Sequence, residues 1–223
     1  MGDLPGPGGL TSGRPSAGPK HRRAGALASV PDLPTVHAGE GEGDVEITAS
    51  RFRDVLSRFA TGVTVVTATG DAGPVGMTVQ GFLSVSLAPP LVLFSTGRGA
   101  RAWPTIEASG TFCVNLLGAD QEWLSERMAA RGGDRFRHVD WSPSPVTGSP
   151  LLAGGLGHVD CRTESVHDAG DHLLVVGRVV DLGATDAEDA LLYYRGRYGR
   201  TRPGTHPRLA GGPLAPDASP PRG

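Results

Sequence analysis

The sequence predicts a mainly β domain with flanking helices. Three observations carry this. About seven short apolar, β-branched runs are joined by hairpin-length links. The strands follow one another instead of alternating with helices, which favours a closed antiparallel barrel over a doubly wound sheet. Only two or three segments have a helical period.

Taken in order, residues 1–45 are rich in Gly, Pro, Ala and Ser and have no apolar period, so a disordered arm is expected. Lys20, His21, Arg22 and Arg23 form a solvated basic cluster within it. From Ile47, Thr48 or Ser50 can cap a helix whose Phe52, Val55, Leu56 and Phe59 share one face, ending at Gly62. Val63 to Thr67 reads as a strand, Gly70-Asp71-Ala72-Gly73 as a hairpin turn, and Val75 to Gln80 as its return. Phe82 to Leu87 and Leu91 to Ser95 are extended and flank Pro89-Pro90. Arg101 to Ser109 is a helix with Pro104 in its first turn and Gly110 at its end. Thr111 to Leu117 is a strand with Phe112, Val114 and Leu116 on one face and Cys113 and Asn115 on the other. Asp120 is placed as the cap of a helix reaching Ala129. Trp103 and Trp123 are expected in the core. A polar loop spans 131–150. Two long strands, 157–167 and 172–182, surround Asp168-Ala169-Gly170-Asp171. Leu191 to Tyr194 is a last short strand. The domain is expected over 46–199, with a disordered tail over 200–223.

Composition narrows the function classes. The net charge is −2 in 223 residues and the pI is about 6.4, unlike the basic footprint of a nucleic-acid binder. No run of about 18 apolar residues predicts a membrane span, and no secretory signal is evident. The two cysteines, Cys113 and Cys161, sit in apolar strand-like runs and are expected as buried thiols. A cytoplasmic protein fits. His167 and His172 lack a third ligand at plausible spacing, so no metal is expected.

The stretch from Gly73 to Arg101 holds the candidate site. A strand empties into Gly97-Arg98-Gly99 and then a helix start, a geometry that can present backbone N–H groups to a phosphate. Thr78, Gln80, Ser84 and Ser86 can hydrogen-bond the edge of a flat polar ring. His172 follows a tight turn, where it can point into a cleft or serve the turn itself. No GxGxxG follows a strand with the right downstream acid, so a separate Rossmann domain is not expected.

Seven segments, in order, resemble the flavin reductase-like family: 52–67 (FRDVLSRFATGVTVVT), 74–79 (PVGMTV), 84–94 (SVSLAPPLVLF), 112–115 (FCVN), 133–136 (GDRF), 167–172 (HDAGDH) and 194–196 (YRG). The resemblance covers about residues 50 to 199. It implies an FMN-binding split β-barrel, a homodimer, and a reductase passing hydride from NADH or NADPH to FMN, with FAD possible, for a partner monooxygenase. It implies flavin-ring contacts at Gly76, Met77, Thr78, Val79, Gln80 and Gly81, phosphate contacts at Ser95, Thr96, Arg98 and Arg101, and nicotinamide contacts at His172, Tyr194 and Arg195. His172 is the candidate catalytic residue. Many members read Asn-Ser at Gln80-Gly81 and carry Ser at Ala100 and Ala102, leaving the phosphate here to backbone N–H groups and arginine. Two other functions suit the same barrel: a flavin carrier without turnover, and an oxidase or oxygenase acting on its own substrate.

Overall fold

A computed structural model describes residues 47–201. The expected arm, 1–45, and the tail beyond Thr201 lie outside the described residues.

The elements run α1 (Ala49–Leu56), β1 (Thr61–Gly62), β2 (Thr64–Gly70), β3 (Gly73–Val79), β4 (Phe82–Leu87), β5 (Pro90–Gly97), α2 (Trp103–Ser109), β6 (Thr111–Leu116), α3 (Glu122–Ala129), β7 (Trp141–Pro143), β8 (Pro150–Leu152), β9 (Gly157–Ala169), β10 (His172–Ala184), β11 (Leu191–Tyr194) and β12 (Arg197–Arg200). The main sheet has seven strands in the order β3-β2-β6-β9-β10-β5-β4, and its neighbours all pair antiparallel.

The expected hydrogen-bond closure into a barrel is absent. β3 and β4 are the two edges of the sheet, joined in sequence through Gln80-Gly81. There Phe82 N donates to Gln80 O at 3.0 Å and Ser95 N to Gly81 O at 2.8 Å. The barrel is therefore split, and the split opens where the chain reverses at Gly81. A β-carbon on Gly81 would lie 2.2 Å from Ser95 Oγ, so a side chain there would have to turn the Ser95 hydroxyl aside.

Two cores flank the sheet. One gathers Val66, Phe94, Phe112, Val114, Cys161 and Val175 with Trp103 and Ile106 of α2. Phe94 and Phe112 meet edge to face at 5.0 Å, a favoured aromatic geometry. The other gathers Val63, Val65, Leu117 and Leu191 with Leu124 and Met128 of α3. The alternation expected along β6 holds: Phe112 and Val114 enter the first core, while Asn115 faces away and is buried. Asn115 Nδ2 donates to Val65 O, Thr67 Oγ1 and Pro150 O, and its Oδ1 accepts from Leu152 N. That one amide fastens β8 to β2 and β6. The buried Asp160 carboxylate accepts from Ser144 Oγ, Thr147 Oγ1 and Thr147 N, fixing the turn between β7 and β8. These bonds satisfy polar groups that would otherwise be costly to bury.

Several expectations change. The first helix stops at Leu56, capped by Thr48 as expected but closed at Ser57, where Ser57 N donates to Arg53 O and Arg58 N to Val55 O. Thr61–Gly62 is freed to pair with β11, so Gly62 lies in a strand and does not end the helix. Asp120 is not the cap of α3: Gln121 holds that position, its side chain bridging Gly118 N and Ala153 O. The loop over 131–150 contains the short β7, paired with β8. Trp103 is buried, but Trp123 is 51% exposed. β12 carries ordered chain to Arg200, past the expected boundary at 199. Both cysteines are free and buried. Cys161 pairs with Phe112 and Cys113 with Asp160, so the two thiols point to opposite faces of the sheet.

Candidate functional site

A cleft of about 740 Å³ opens beside the split, within the range of small-molecule sites. One wall is the end of β3 and the reversal after it, Met77 to Gly81. A second is the end of β5 and the loop after it, Ser95, Thr96, Gly97 and Gly99 to Arg101. α3 and the following loop close it with Met128 to Arg131 and Arg135. His172, Tyr193 and Tyr198 complete the rim.

Each wall has a local cause. Gly76 lies behind the cleft instead of lining it. A β-carbon there would sit 2.9 Å from Met128 Sδ and 3.4 Å from the Phe136 ring, so glycine lets β3 press onto α3. Thr78 Oγ1 donates to Ser125 O at 2.6 Å and Thr96 Oγ1 contacts Met77 Sδ at 3.4 Å. Both hydroxyls are spent on holding the walls together. Gln80, exposed, keeps its amide available at the cleft. Ser84 and Ser86 lie on β4 away from it. Ala102 is buried in the first core and Ala100 packs against that core. The loop's alanines thus serve packing.

The charges are one-sided. Arg101, Arg131 and Arg135 line the cleft, and among the described residues no carboxylate does. Asp134 Oδ1 accepts from Phe136 N and Arg137 N, a tight turn that sends Arg135 back across β3. Its Nη1 donates to Gly76 O at 2.9 Å and its Nη2 to Ala130 O at 2.6 Å. Burial, then the nearby Arg101 charge, lowers the Arg135 pKa from its ordinary value. Two like charges held at one wall of the cleft fit an anion between them. A flat polar ring with a phosphate tail suits this combination of amide, bare backbone and guanidinium.

Of the remaining expected residues, only His172 reaches the cleft. Arg98 does not line the cleft. Its Nε donates to Gly170 O at 2.9 Å and its Nη2 lies 2.7 Å from Asp168 Oδ1. Tyr194 and Arg195 are also outside: Tyr194 is half-exposed, and Arg195, at φ 50°, donates its N–H to Ser57 O. Tyr193 and Tyr198 take the place at the cleft. They are register partners on β11 and β12, so they share a face, and Tyr194 takes the opposite one. His172 is at the rim, its Nδ1 2.7 Å from Asp171 Oδ1. That hydrogen bond, then the His172 charge, lowers the Asp171 carboxyl below its usual range. The carboxylate fixes the ring's tilt and leaves Nε2 free. Arg135 and the tyrosine pair were missed as site residues; the Gly-Asp-Arg-Phe run was the signal for Arg135.

Comparisons with known proteins show the family. The chain is 48% identical over 161 residues to the reductase subunit HsaB of a flavin-dependent monooxygenase from Rhodococcus jostii, covering 71% of this chain and 82% of that one. It is 44% identical over 149 residues to the FMN reductase (NADH) SmoA of Agrobacterium fabrum, covering 67% and 84%. Among solved structures, the NADH:FAD oxidoreductase SgcE6 of Streptomyces globisporus, in complex with NAD and FAD fragments, superposes with a TM-score of 0.67 at 38% identity, covering 70% and 94%. BorF, the flavin reductase component of a bacterial two-component tryptophan halogenase, superposes with a TM-score of 0.65 at 38% identity, covering 69% and 98%. With a family profile described as a flavin reductase like domain matching residues 56–202, the chain belongs to the flavin reductase-like family.

Proposed function

We propose that the protein is an NADH-dependent flavin reductase that supplies reduced FMN or FAD to a separate monooxygenase. The observation that carries this is the cleft itself, which among the described residues sets three arginines and no carboxylate beside a wall of backbone and the Gln80 amide. Bound flavin supplies the ring nitrogen that accepts hydride from the nicotinamide. The chain supplies position and environment. Backbone from Met77 to Gly81 and the Gln80 amide hold the ring edge. Arg101, Arg131 and Arg135 hold the phosphate. His172, tilted by Asp171, faces the nicotinamide side and can hold a proton at Nε2.

A homodimer accompanies this reading. α1 is amphipathic, yet none of its side chains is buried among the described residues, and its apolar face suits contact with a second copy. Two buried free thiols suit a reducing compartment, the cytoplasm. No helix among the described residues is long and apolar enough to cross a membrane.

Steady-state oxidation of NADH with and without added FMN, FAD or riboflavin tests the function. Flavin-dependent turnover is expected. Tight flavin binding without NADH oxidation would overturn it in favour of a carrier. Slow flavin release with consumption of an organic substrate would favour an oxidase.

A further inference from the structure

Two methionines lie within the described residues, Met77 and Met128, and both line the flavin cleft. Their sulfurs have different surroundings. Met77 belongs to the first core and Met128 to the second. Met128 is fully buried, and its sulfur is wedged behind β3. A β-carbon on Gly76 would lie 2.9 Å from Met128 Sδ and 3.4 Å from the Phe136 ring. Met77 keeps 6% of its surface exposed. Its Sδ contacts Thr96 Oγ1 at 3.4 Å, linking β3 to β5 beside the split, and Thr96 is itself a cleft residue. The Met77 thioether is thus shielded from bulk water, and the cleft is the side on which it is open.

We propose that Met77 is an oxidation site that brakes the reductase. When the monooxygenase does not draw off reduced flavin, hydrogen peroxide made in the cleft converts Met77 to its sulfoxide and weakens flavin binding. The site rests on the reductase reading proposed above. In that reading the backbone from Met77 to Gly81 holds the ring edge, so the oxidant forms beside this side chain. Dioxygen reaching the cleft takes two electrons and two protons from reduced flavin and becomes hydrogen peroxide. The Met77 sulfur lone pair attacks one peroxide oxygen. An S–O bond forms, the O–O bond breaks, and the second oxygen leaves as water with both protons. Sulfur loses the two electrons that the peroxide gains.

The surroundings then change in kind. A flexible apolar side chain becomes a polar one, standing between the first core and the ring seat. Thr96 Oγ1, within reach of the sulfur, is a donor for the sulfoxide oxygen, whereas a thioether accepts only weakly. Met128, sealed behind Gly76 and Phe136, stays a thioether.

The test weighs the peptides carrying Met77 and Met128 for an added oxygen atom. The full chain is first turned over with NADH and FMN in air, in air with catalase, and without oxygen. Catalase clears peroxide from bulk solution but is too large to enter a cleft of about 740 Å³. Sulfoxide on Met77 is expected in both aerobic samples, at about threefold or more the level on Met128, and not without oxygen. The FMN dissociation constant of the oxidised protein should rise about fivefold or more. Met77→Leu, its rate scaled to its own starting value, should lose the aerobic decline. If catalase abolishes the modification, the peroxide comes from bulk solution and the proposal is overturned. Turnover that leaves Met77 unmodified, or a sulfoxide that leaves FMN affinity unchanged, overturns the brake while the reductase stands. If NADH is not consumed with FMN, the reductase reading fails first and the brake falls with it.

Discussion

Arg98 Nη2 lies 2.7 Å from Asp168 Oδ1, so the loop after β5 is tied to the β9–β10 hairpin. Arg98 N also donates to Asp171 O at 3.2 Å. This arginine therefore positions the turn that carries His172, although its place in a glycine loop suggests a phosphate ligand. Exposed ion pairs contribute well under about 1 kcal/mol to stability. The consequence to look for is kinetic.

Removing either partner of that pair should have the same effect. Arg98→Ala and Asp168→Asn are each expected to raise KM for NADH about two- to fivefold, through a looser His172, and to leave FMN affinity nearly unchanged. Fluorescence titration with FMN beside steady-state kinetics checks this. An increase in the FMN dissociation constant for Arg98→Ala alone would return Arg98 to the phosphate.

Arg101 and Arg135 divide binding from architecture. Arg101 makes no hydrogen bond within the chain among the described residues, whereas Arg135 also holds Gly76 O and Ala130 O. A charge-assisted hydrogen bond contributes roughly 1.5–3 kcal/mol, so Arg101→Ala should weaken FMN about tenfold or more. Its melting temperature should hold, and riboflavin, lacking the phosphate, should bind as before. Arg135→Ala should lose FMN affinity and also melt earlier, because two backbone carbonyls lose their donor. Parallel melts and titrations with FMN and riboflavin separate the two roles; equal losses of FMN and riboflavin would remove the phosphate assignment.

Much of this fold is legible in the sequence because its long strands alternate and its turns are marked by glycine. Gly70 and Gly73 pair across the first hairpin, and Ala169 pairs with His172 across the longest one. The two-residue β1 and three-residue β7 are too short to show a period and are created by tertiary pairing. Barrel closure was over-read because adjacency in sequence says nothing about whether the two end strands meet. At the site, the walls from Met77 to Gly81 and from Ser95 to Arg101 were legible as strand and loop. Arg135 was not, since only the fold returns that loop across β3. The choice of Tyr193 over Tyr194 turns on strand parity, which the paired Tyr198 fixes and a local motif does not.

The buried thiols predict an alkaline loss of stability. Burial, then the Asp160 charge, pushes Cys161 up to about 12 from an ordinary 9.0 and raises Cys113 still further. Unfolded thiols ionise first, so the unfolded chain binds fewer protons as pH rises through about 9. The thiol contribution is complete below that value and declines toward the folded pKa, at up to roughly 1.4 kcal/mol per pH unit for each thiol. Urea unfolding at about pH 8 and about pH 10 should show the decline, and Cys161→Ala should flatten the slope while lowering the plateau by a cavity cost. An identical slope in the variant would mean that other groups carry the alkaline transition.

The apolar face of α1 makes the last prediction, and the argument is one of unspent burial. Phe52 is 56% exposed, Val55 54% and Leu56 51%, with Phe59 just beyond the helix at 73%. An eight-residue helix is marginal alone in water, and none of this one's side chains is buried among the described residues. Covering such side chains is worth roughly 1.5–3 kcal/mol each at full burial, enough for a second copy to order the helix. Sedimentation of the full chain should give a dimer, and Phe52→Asp with Leu56→Asp should give a folded monomer with normal far-ultraviolet circular dichroism. A dimer that survives both changes would place the contact elsewhere.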